Sequence, residues 1–426
     1  MIEEKNKFKY LVPNKNVFFI KFKNQYLLYN KNEYTAYKIS REHYLALSKL
    51  SSITSPNDKL YDKSLIANLI DKGFLVNNST SKNICNITIQ NQYKPYLNRI
   101  MIEITNKCNL RCKHCYVWSR KSGNKTLDWH TLENLITTME KTGIWQLDLT
   151  GGEISTHPNI IEIMNRLKKS NLLVNMFTNL SSHNKLYIEA LIKLRPKLVI
   201  SSIDGSNADT HDNFRGVNGA YSQTIHNIKL LKKNGINVRI NVSLSKQNIS
   251  EIDDIVNLLE EKLKVPYILG DIQCTDTNYR NIILDQNKTI DTILKYRRRI
   301  YIDRSKQKEN LCAIHPPCGV GYDMMFINSS GESSLCPTLT RHESNDFYAG
   351  NIYSKSIKII WEESNTFTRF RNIQCKNLSK CNFKMECKGG CRSRAYLEHH
   401  NLNDLDPTTC GIVKKLYKHE NKTYTI

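Results

Sequence analysis

Six times between residues 97 and 272 a short apolar run is followed by an amphipathic stretch, and that alternation leaves few folds open. The runs are residues 100–104, 146–149, 173–177, 198–203, 238–244 and 267–272. Between them lie stretches with apolar residues at helical spacing, such as 127–142, 159–169 and 221–234. Strand-then-helix units repeated in this way pack as a parallel sheet with right-handed crossovers. Six of them predict an α/β fold, a partial (β/α)6 barrel of TIM-like type. In such barrels chemistry gathers at the C-terminal ends of the strands, so the residues just after each apolar run are the ones to read for a site.

The first run is followed at once by Cys108, Cys112 and Cys115, in Thr105-Asn-Lys-Cys-Asn-Leu-Arg-Cys-Lys-His-Cys-Tyr116. Three thiolates at this spacing can hold three irons of a four-iron cubane. Such clusters are normally closed by four cysteines, so a three-cysteine loop leaves one iron for a small molecule. The second run ends in Thr150-Gly151-Gly152-Glu153. Glycines let a backbone approach closely, and a carboxylate there can accept from a cationic amine, although Gly-Gly-Glu alone is also an ordinary turn. Thr178 and Asn179 close the third run, Ser202 and Asp204 the fourth, and Arg215 sits in His211-Asp-Asn-Phe-Arg-Gly216. Strand-end caps for Thr178 and Asn179 and a surface ion pair for Arg215 are the plain alternatives.

Together these residues resemble the radical S-adenosylmethionine (SAM) superfamily, through its C-x3-C-x2-C-aromatic signature and the Gly-Gly-Glu at the next strand end. The resemblance implies a [4Fe-4S] cluster on Cys108, Cys112 and Cys115, with SAM on the fourth iron. Gly151, Gly152 and Glu153 would hold the methionyl amine. Thr178, Asn179, Ser202 and Asp204 would contact the ribose or methionyl portion, Arg215 the carboxylate, for which a guanidinium fork is suited, and Tyr116 the adenine. The cluster would pass an electron to the sulfonium, and the resulting 5′-deoxyadenosyl radical would take a hydrogen from substrate. The cofactor carries the hard step and the protein orients it. No catalytic acid or base can be named; Glu103 alternates with Met101 and Thr105 onto what would be the barrel interior.

After about residue 305 the periodicity is lost and cysteines return: Cys312, Cys318, Cys336, Cys375, Cys381, Cys387, Cys391 and Cys410. Residues 306–426 read as a unit held together more by metal than by core. With Gly331-x4-Cys336 the pattern resembles the SPASM extension of peptide-modifying radical SAM enzymes. That implies two auxiliary four-iron clusters, one on Cys312, Cys318, Cys336 and Cys391, the other on Cys375, Cys381, Cys387 and Cys410. The pattern expects a cysteine at position 378, where this chain has Leu378, so Cys375 serves only if its loop bulges. Structural zinc is the alternative, since Cys387-x3-Cys391 suits a zinc ribbon. Cys85 and Cys274 remain, as small buried hydrophobes.

Residues 1–95 differ again. Residues 16–22 and 25–29 read as two strands joined at Lys23-Asn24. Two helical patterns follow, one on Tyr44, Leu47 and Leu50, the other on Leu60, Leu65, Leu69 and Ile70, stopping at Gly73 before an apolar strand from Phe74. This winged-helix-like α+β unit, ahead of a core at 96–305, resembles the precursor-recognition element of ribosomal-peptide maturases. Such elements add a leader peptide as a strand to an exposed sheet edge, a role for the strands at 17–22 and 26–29.

The resemblance implies a maturase that forms thioether or carbon–carbon cross-links in a ribosomally made precursor peptide, with an external electron donor of flavodoxin or ferredoxin type. Alternatives are a sulfatase-maturase-like formylglycine former, a peptide epimerase or decarboxylase, and a zinc and nucleic-acid-binding protein. The net charge of +22 invites the last, but the lysines are dispersed and no nucleic-acid motif accompanies them, so a nucleic-acid partner is not expected. Met1-Ile-Glu-Glu-Lys-Asn-Lys lacks a signal-peptide h-region, and no run approaches the roughly 18 apolar residues of a membrane span. The expectation is a cytoplasmic protein in which eleven of the 13 cysteines ligate metal rather than pair as disulfides.

Overall fold

The computed structural model describes residues 11–13, 17–22, 25–30, 35–48, 63–72, 74–77, 88–90, 97–115, 124–273, 281–300, 318–341, 345–383, 387 and 389–420. Leu50, Leu60, Gly73, Cys85, Tyr116, Cys274 and Cys312 lie outside them. Among the described residues no helix is long and apolar enough to cross a membrane.

The N-terminal strands are β1 (Leu11–Pro13), β2 (Val17–Phe22), β3 (Gln25–Asn30), β4 (Thr35–Ile39), β5 (Leu75–Asn77) and β6 (Thr88–Gln90). Strands β2, β3 and β4 form an antiparallel meander. Val17 and Phe19, two residues apart, bury one face of β2 with Leu28 from β3. Helices Arg41–Ser48 and Lys63–Asp71 cover that face with Tyr44, Leu47 and Leu69. The edges differ from expectation. Strand β2 is flanked by β3 and, in parallel, by β6, while β3 lies between β2 and β4. Among the described residues both strands expected to take a leader peptide are therefore interior, and the sheet ends at β4 on that side.

The barrel strands are β7 (Arg99–Glu103), β8 (Gln146–Thr150), β9 (Leu173–Phe177), β10 (Leu198–Ser202), β11 (Val238–Leu244) and β12 (Tyr267–Asp271), neighbouring in sequence order and all parallel. Strand β11 shows why: Val238, Ile240, Val242 and Leu244 are buried, while Arg239, Asn241 and Ser243 alternate onto the half-buried opposite face. The helices bury their apolar stripes on the outside. Trp129–Thr142 does so with Asp128 as N-cap and Gly143 as left-handed C-cap.

Among the described residues the sheet does not close. Beyond β7 it continues into β13 (Met324–Ile327), β14 (Glu332–Ser334) and β15 (Tyr348–Asn351), giving nine strands ordered β12-β11-β10-β9-β8-β7-β13-β14-β15. Strand β13 runs parallel to β7, with Phe326 opposite Met101. The C-terminal unit is thus not held by metal ligands alone. Trp361, Phe347 and Phe367 are fully buried in the same apolar cluster as the barrel, and the Arg371 guanidinium stacks 4.5 Å from the Trp361 ring centre. A cavity at this shared core should cost about 3–5 kcal/mol. Trp361→Ala is expected to lower the urea midpoint of the barrel itself, followed by far-UV circular dichroism; an unchanged midpoint would mean that the two parts are independent.

Candidate functional site

The cysteine loop emerges from β7 and is gripped from three sides. From the end of β8, Gly152 N donates to Thr105 O at 2.7 Å and Glu153 N to Lys107 O at 2.8 Å. A Cβ on Gly152 would stand 2.4 Å from Lys107 O and 2.6 Å from Asn106 O, so the close approach requires glycine. What approaches Gly152 here is the loop that carries Cys108. From the helix Ala208–Arg215, the carbonyls of Arg215 and Phe214 accept from Arg111 N and Lys113 N. That helix ends at Gly216, in the left-handed region at φ 74°, against Arg111 O. From the end of β9, Asn179 Nδ2 donates to Asn109 Oδ1 at 2.8 Å and lies 4.0 Å from Cys108 Sγ.

Glu153 is buried, and its carboxylate accepts from Ser155 N, Thr178 Oγ1 (2.7 Å) and Asn179 N (2.7 Å). Burial raises its pKa, and those donors pull it back. Thr178 and Asn179 are thus drawn onto Glu153, while Ser202 is half-buried, in register with Asn241 of β11. Asp204 is fully buried and paired with Arg215; its Oδ1 accepts from Ser243 N at 2.7 Å. Arg215 Nη1 in turn reaches Cys112 Sγ at 3.6 Å. Burial works against the Arg215 charge, yet the Asp204 carboxylate and the Cys112 sulfur carry its pKa up.

Burial pushes the Cys108 thiol up to about 12, with the Glu153 charge and the other two cysteines adding to it. Cys112 is raised by burial and partly lowered by Arg215. Three soft donors near one another, Cys112 buried and Cys108 and Cys115 half-buried, with Arg215 Nε buried and without a hydrogen-bond partner, fit a cluster whose binding displaces thiol protons. Among the described residues no three His, Cys, Asp or Glu groups converge on one ion position. A cubane is ligated at separate corners, so it calls for wider spacing than a single zinc.

In the C-terminal unit Cys336 is pushed up to about 12 by burial, then by Cys391 and Cys318, which places those three near one another. Cys387, pushed up to about 11 by burial, feels Cys410 and Cys375. The Cys375 loop passes close enough that a Cβ on Gly389 would meet Cys375 Cβ at 3.8 Å. Asp406 links the sets: its Oδ2 accepts from Cys391 N at 2.7 Å, and its carbonyl from Cys410 N at 3.0 Å. Sequence reasoning missed Asp406, Asn109 and His211. Asn109 is hidden in an asparagine-rich chain, and nothing local marks Asp406.

The family model described as the radical SAM superfamily matches residues 102–259, and that of the SPASM iron–sulfur cluster-binding domain matches 318–391. The chain carries a radical SAM domain and a SPASM domain. Iron–sulfur clusters and SAM are accordingly its cofactors. The subtilosin biosynthesis protein AlbA of Bacillus subtilis is 28% identical over 71% of this chain and 67% of its own. The AdoMet-dependent heme synthase of Methanosarcina barkeri is 29% identical over 72% of this chain and 94% of its own. Among solved structures, Streptococcus suis SuiB bound to precursor peptide SuiA superposes with a TM-score of 0.67 at 15% identity, covering 94% of this chain and 99% of that one. The radical SAM barrel strands lie within two residues of their expected bounds, and the open sheet agrees with a partial barrel.

Two outcomes follow from this geometry. Gly152→Ala should displace the Cys108 loop at a cost of about 1–3 kcal/mol, seen as loss of the SAM-responsive paramagnetic signal of the reconstituted protein while far-UV circular dichroism holds. His211 Nδ1 accepts from Asp204 N at 3.2 Å, and burial depresses this histidine from 6.5 to about 4. Above pH 6.5 both folded and unfolded states are neutral there. Between about 6.5 and 4 the unfolded chain takes up a proton that the fold refuses, so stability falls with pH by up to ~3 kcal/mol. His211→Asn, which keeps the acceptor, should flatten that part of the urea stability against pH; an unchanged slope assigns it elsewhere.

Proposed function

We propose that this chain is a cytoplasmic radical SAM/SPASM maturase that cross-links a ribosomally made precursor peptide. The supporting observation is one of coverage. The heme synthase is matched along nearly its whole length using only 72% of this chain. SuiB, whose structure holds a precursor peptide, shares its fold over 94%. Residues 96–426 are less than four-fifths of the chain, so the SuiB likeness must take in most of the N-terminal unit. AlbA, named for the biosynthesis of a bacteriocin, points the same way.

On this reading residues 1–95 recognise the leader, 96–305 form the radical SAM core and 306–426 the SPASM domain. The leader adds as a strand at the outer edge of β4, with main-chain hydrogen bonds supplying affinity. Cys108, Cys112 and Cys115 hold the radical cluster. Cys318, Cys336 and Cys391 hold the first auxiliary cluster with Cys312, and Cys375, Cys387 and Cys410 hold the second with Cys381, making three clusters in all. Gly151, Gly152, Glu153, Thr178, Asn179, Ser202, Asp204, Arg215 and Tyr116 surround SAM. Bound there, the cluster and SAM would supply the radical chemistry that takes a hydrogen atom from the substrate. The protein's own part is to keep strand ends β8 to β10 fixed around that point and to present the peptide's core segment over the barrel mouth. Cross-linking would remove two hydrogens, one as an atom taken up in deoxyadenosine and the other as a proton, with the remaining electron for the iron–sulfur centres on these cysteines to accept. A flavodoxin or ferredoxin supplies the priming electron.

The reading is tested with anaerobically reconstituted protein, SAM, reductant and each short peptide encoded near the gene as candidate precursor. A mass loss of two hydrogens is expected, and removal of residues 1–95 should abolish it on the full precursor. Unchanged mass with SAM consumed would point to epimerisation. Full activity after the deletion would favour a formylglycine-forming type of enzyme that needs no leader.

A further inference from the structure

The resemblance assigns Arg215 to the SAM carboxylate, yet the Asp204–Arg215 pair is directed at the cysteine loop. Arg215 is 7% exposed and Asp204 wholly buried. One guanidinium nitrogen of Arg215, Nη2, pairs with Asp204 Oδ2. Another, Nη1, points at Cys112 Sγ from 3.6 Å, within the reach of a hydrogen bond to sulfur. The arginine's own carbonyl takes Arg111 N at 2.9 Å, one residue before that cysteine. Asp204 is equally fixed: Ser243 N donates to Oδ1, Asn248 Nδ2 donates to its carbonyl at 3.1 Å, and its N–H points at His211 Nδ1. Neither partner can turn away without leaving a buried charge alone, at a cost of several kcal/mol.

We propose that Arg215 and Asp204 are positioning residues that set the reduction potential of the cluster held by Cys108, Cys112 and Cys115. Hydrogen bonds to ligand sulfurs and nearby net charge are among the factors that set such potentials. Arg215 stabilises the extra electron of the reduced cluster through the Cys112 sulfur, and Asp204 attenuates that effect from the far side. The ion pair is thus a graded element, in which each half pulls the potential in the opposite direction. The inference rests on the cluster assignment of the previous section.

The test is a redox titration of the reconstituted full-length protein followed by electron paramagnetic resonance, using the signal that changes on adding SAM to single out this cluster. Arg215→Gln removes the positive charge and is expected to disfavour reduction at least tenfold, about 59 mV downward for one electron. Asp204→Asn is expected to move the midpoint upward, and Arg215→Lys, which keeps the charge, to stay nearer the wild type than Arg215→Gln. A purely structural role would impair cluster content in both variants without opposite-signed shifts. Unmoved midpoints, or shifts of the same sign, overturn the proposal. Should Arg215→Gln fail to assemble the cluster, Asp204→Asn and Arg215→Lys decide the matter, and absence of an upward shift in Asp204→Asn counts against it. If the wild-type protein shows no SAM-responsive signal at all, it is the cluster assignment that fails.

Discussion

A loop that must hold three thiols at fixed separations has little scope for regular structure, so its backbone groups must find partners elsewhere. Buried N–H and carbonyl groups are costly when unpaired. Here they are taken by neighbouring strand ends. Thr105 and Lys107 carbonyls receive Gly152 N and Glu153 N, while Arg111 N and Lys113 N donate to the helix after β10. Ordering such a loop costs roughly 1–2 kcal/mol of backbone entropy per residue, and these bonds with the burial of Leu110 and Cys112 offset it. The parallel sheet is what brings those partners together, because every β-to-α turn arrives on the same face.

This dependence explains the double character of the residues around the site. Gly152 has no Cβ because the loop backbone passes there. Glu153 is filled by Thr178 and Asn179, residues one strand further along, so the ends of β8 and β9 are tied at the depth of Cys108. Asp204 and Arg215 are both deeply buried and paired with each other beside the cysteine loop.

The barrel was legible because its strands obey one rule six times: apolar outer residues against helices and a parallel neighbour a few tens of residues away. The bounds of β9 and β11 coincide with the sequence reading. Strands β1 and β6, three residues each, carry too few residues for any periodicity, and β4 was hidden in a polar stretch. The join of β13 to β7 was illegible for another reason. More than two hundred residues separate Met101 from Phe326, and Met324-Met-Phe-Ile says only that a strand exists, not what it pairs with. Within the site the cysteines were legible by type and spacing. The pairing of Asp204 with Arg215, and the orientation of Arg215 towards Cys112, depend on how a strand end faces a helix and leave no mark in sequence.

The same sheet explains how the C-terminal unit is carried. One attachment is β13 on β7, reinforced by Arg99 donating to Cys318 O. The other lies at the opposite edge: Arg394 makes a two-pronged ion pair with Asp271 at the end of β12, at 2.7 and 2.9 Å, and also binds Asp406. Burial alone would raise the Asp406 pKa, but Arg394 brings it below the usual carboxylate range. The final helix, Pro407–Glu420, then returns against Gln286–Ile300, where Lys415 meets Asp291. The unit therefore spans the gap that an open six-stranded barrel leaves, anchored on both edge strands. Asp406 joins the Cys391 and Cys410 backbones to Arg394, and through it to Asp271 at the end of β12. A structure held at one edge alone would leave that spacing to a hinge; held at both, it is fixed by the width of the sheet.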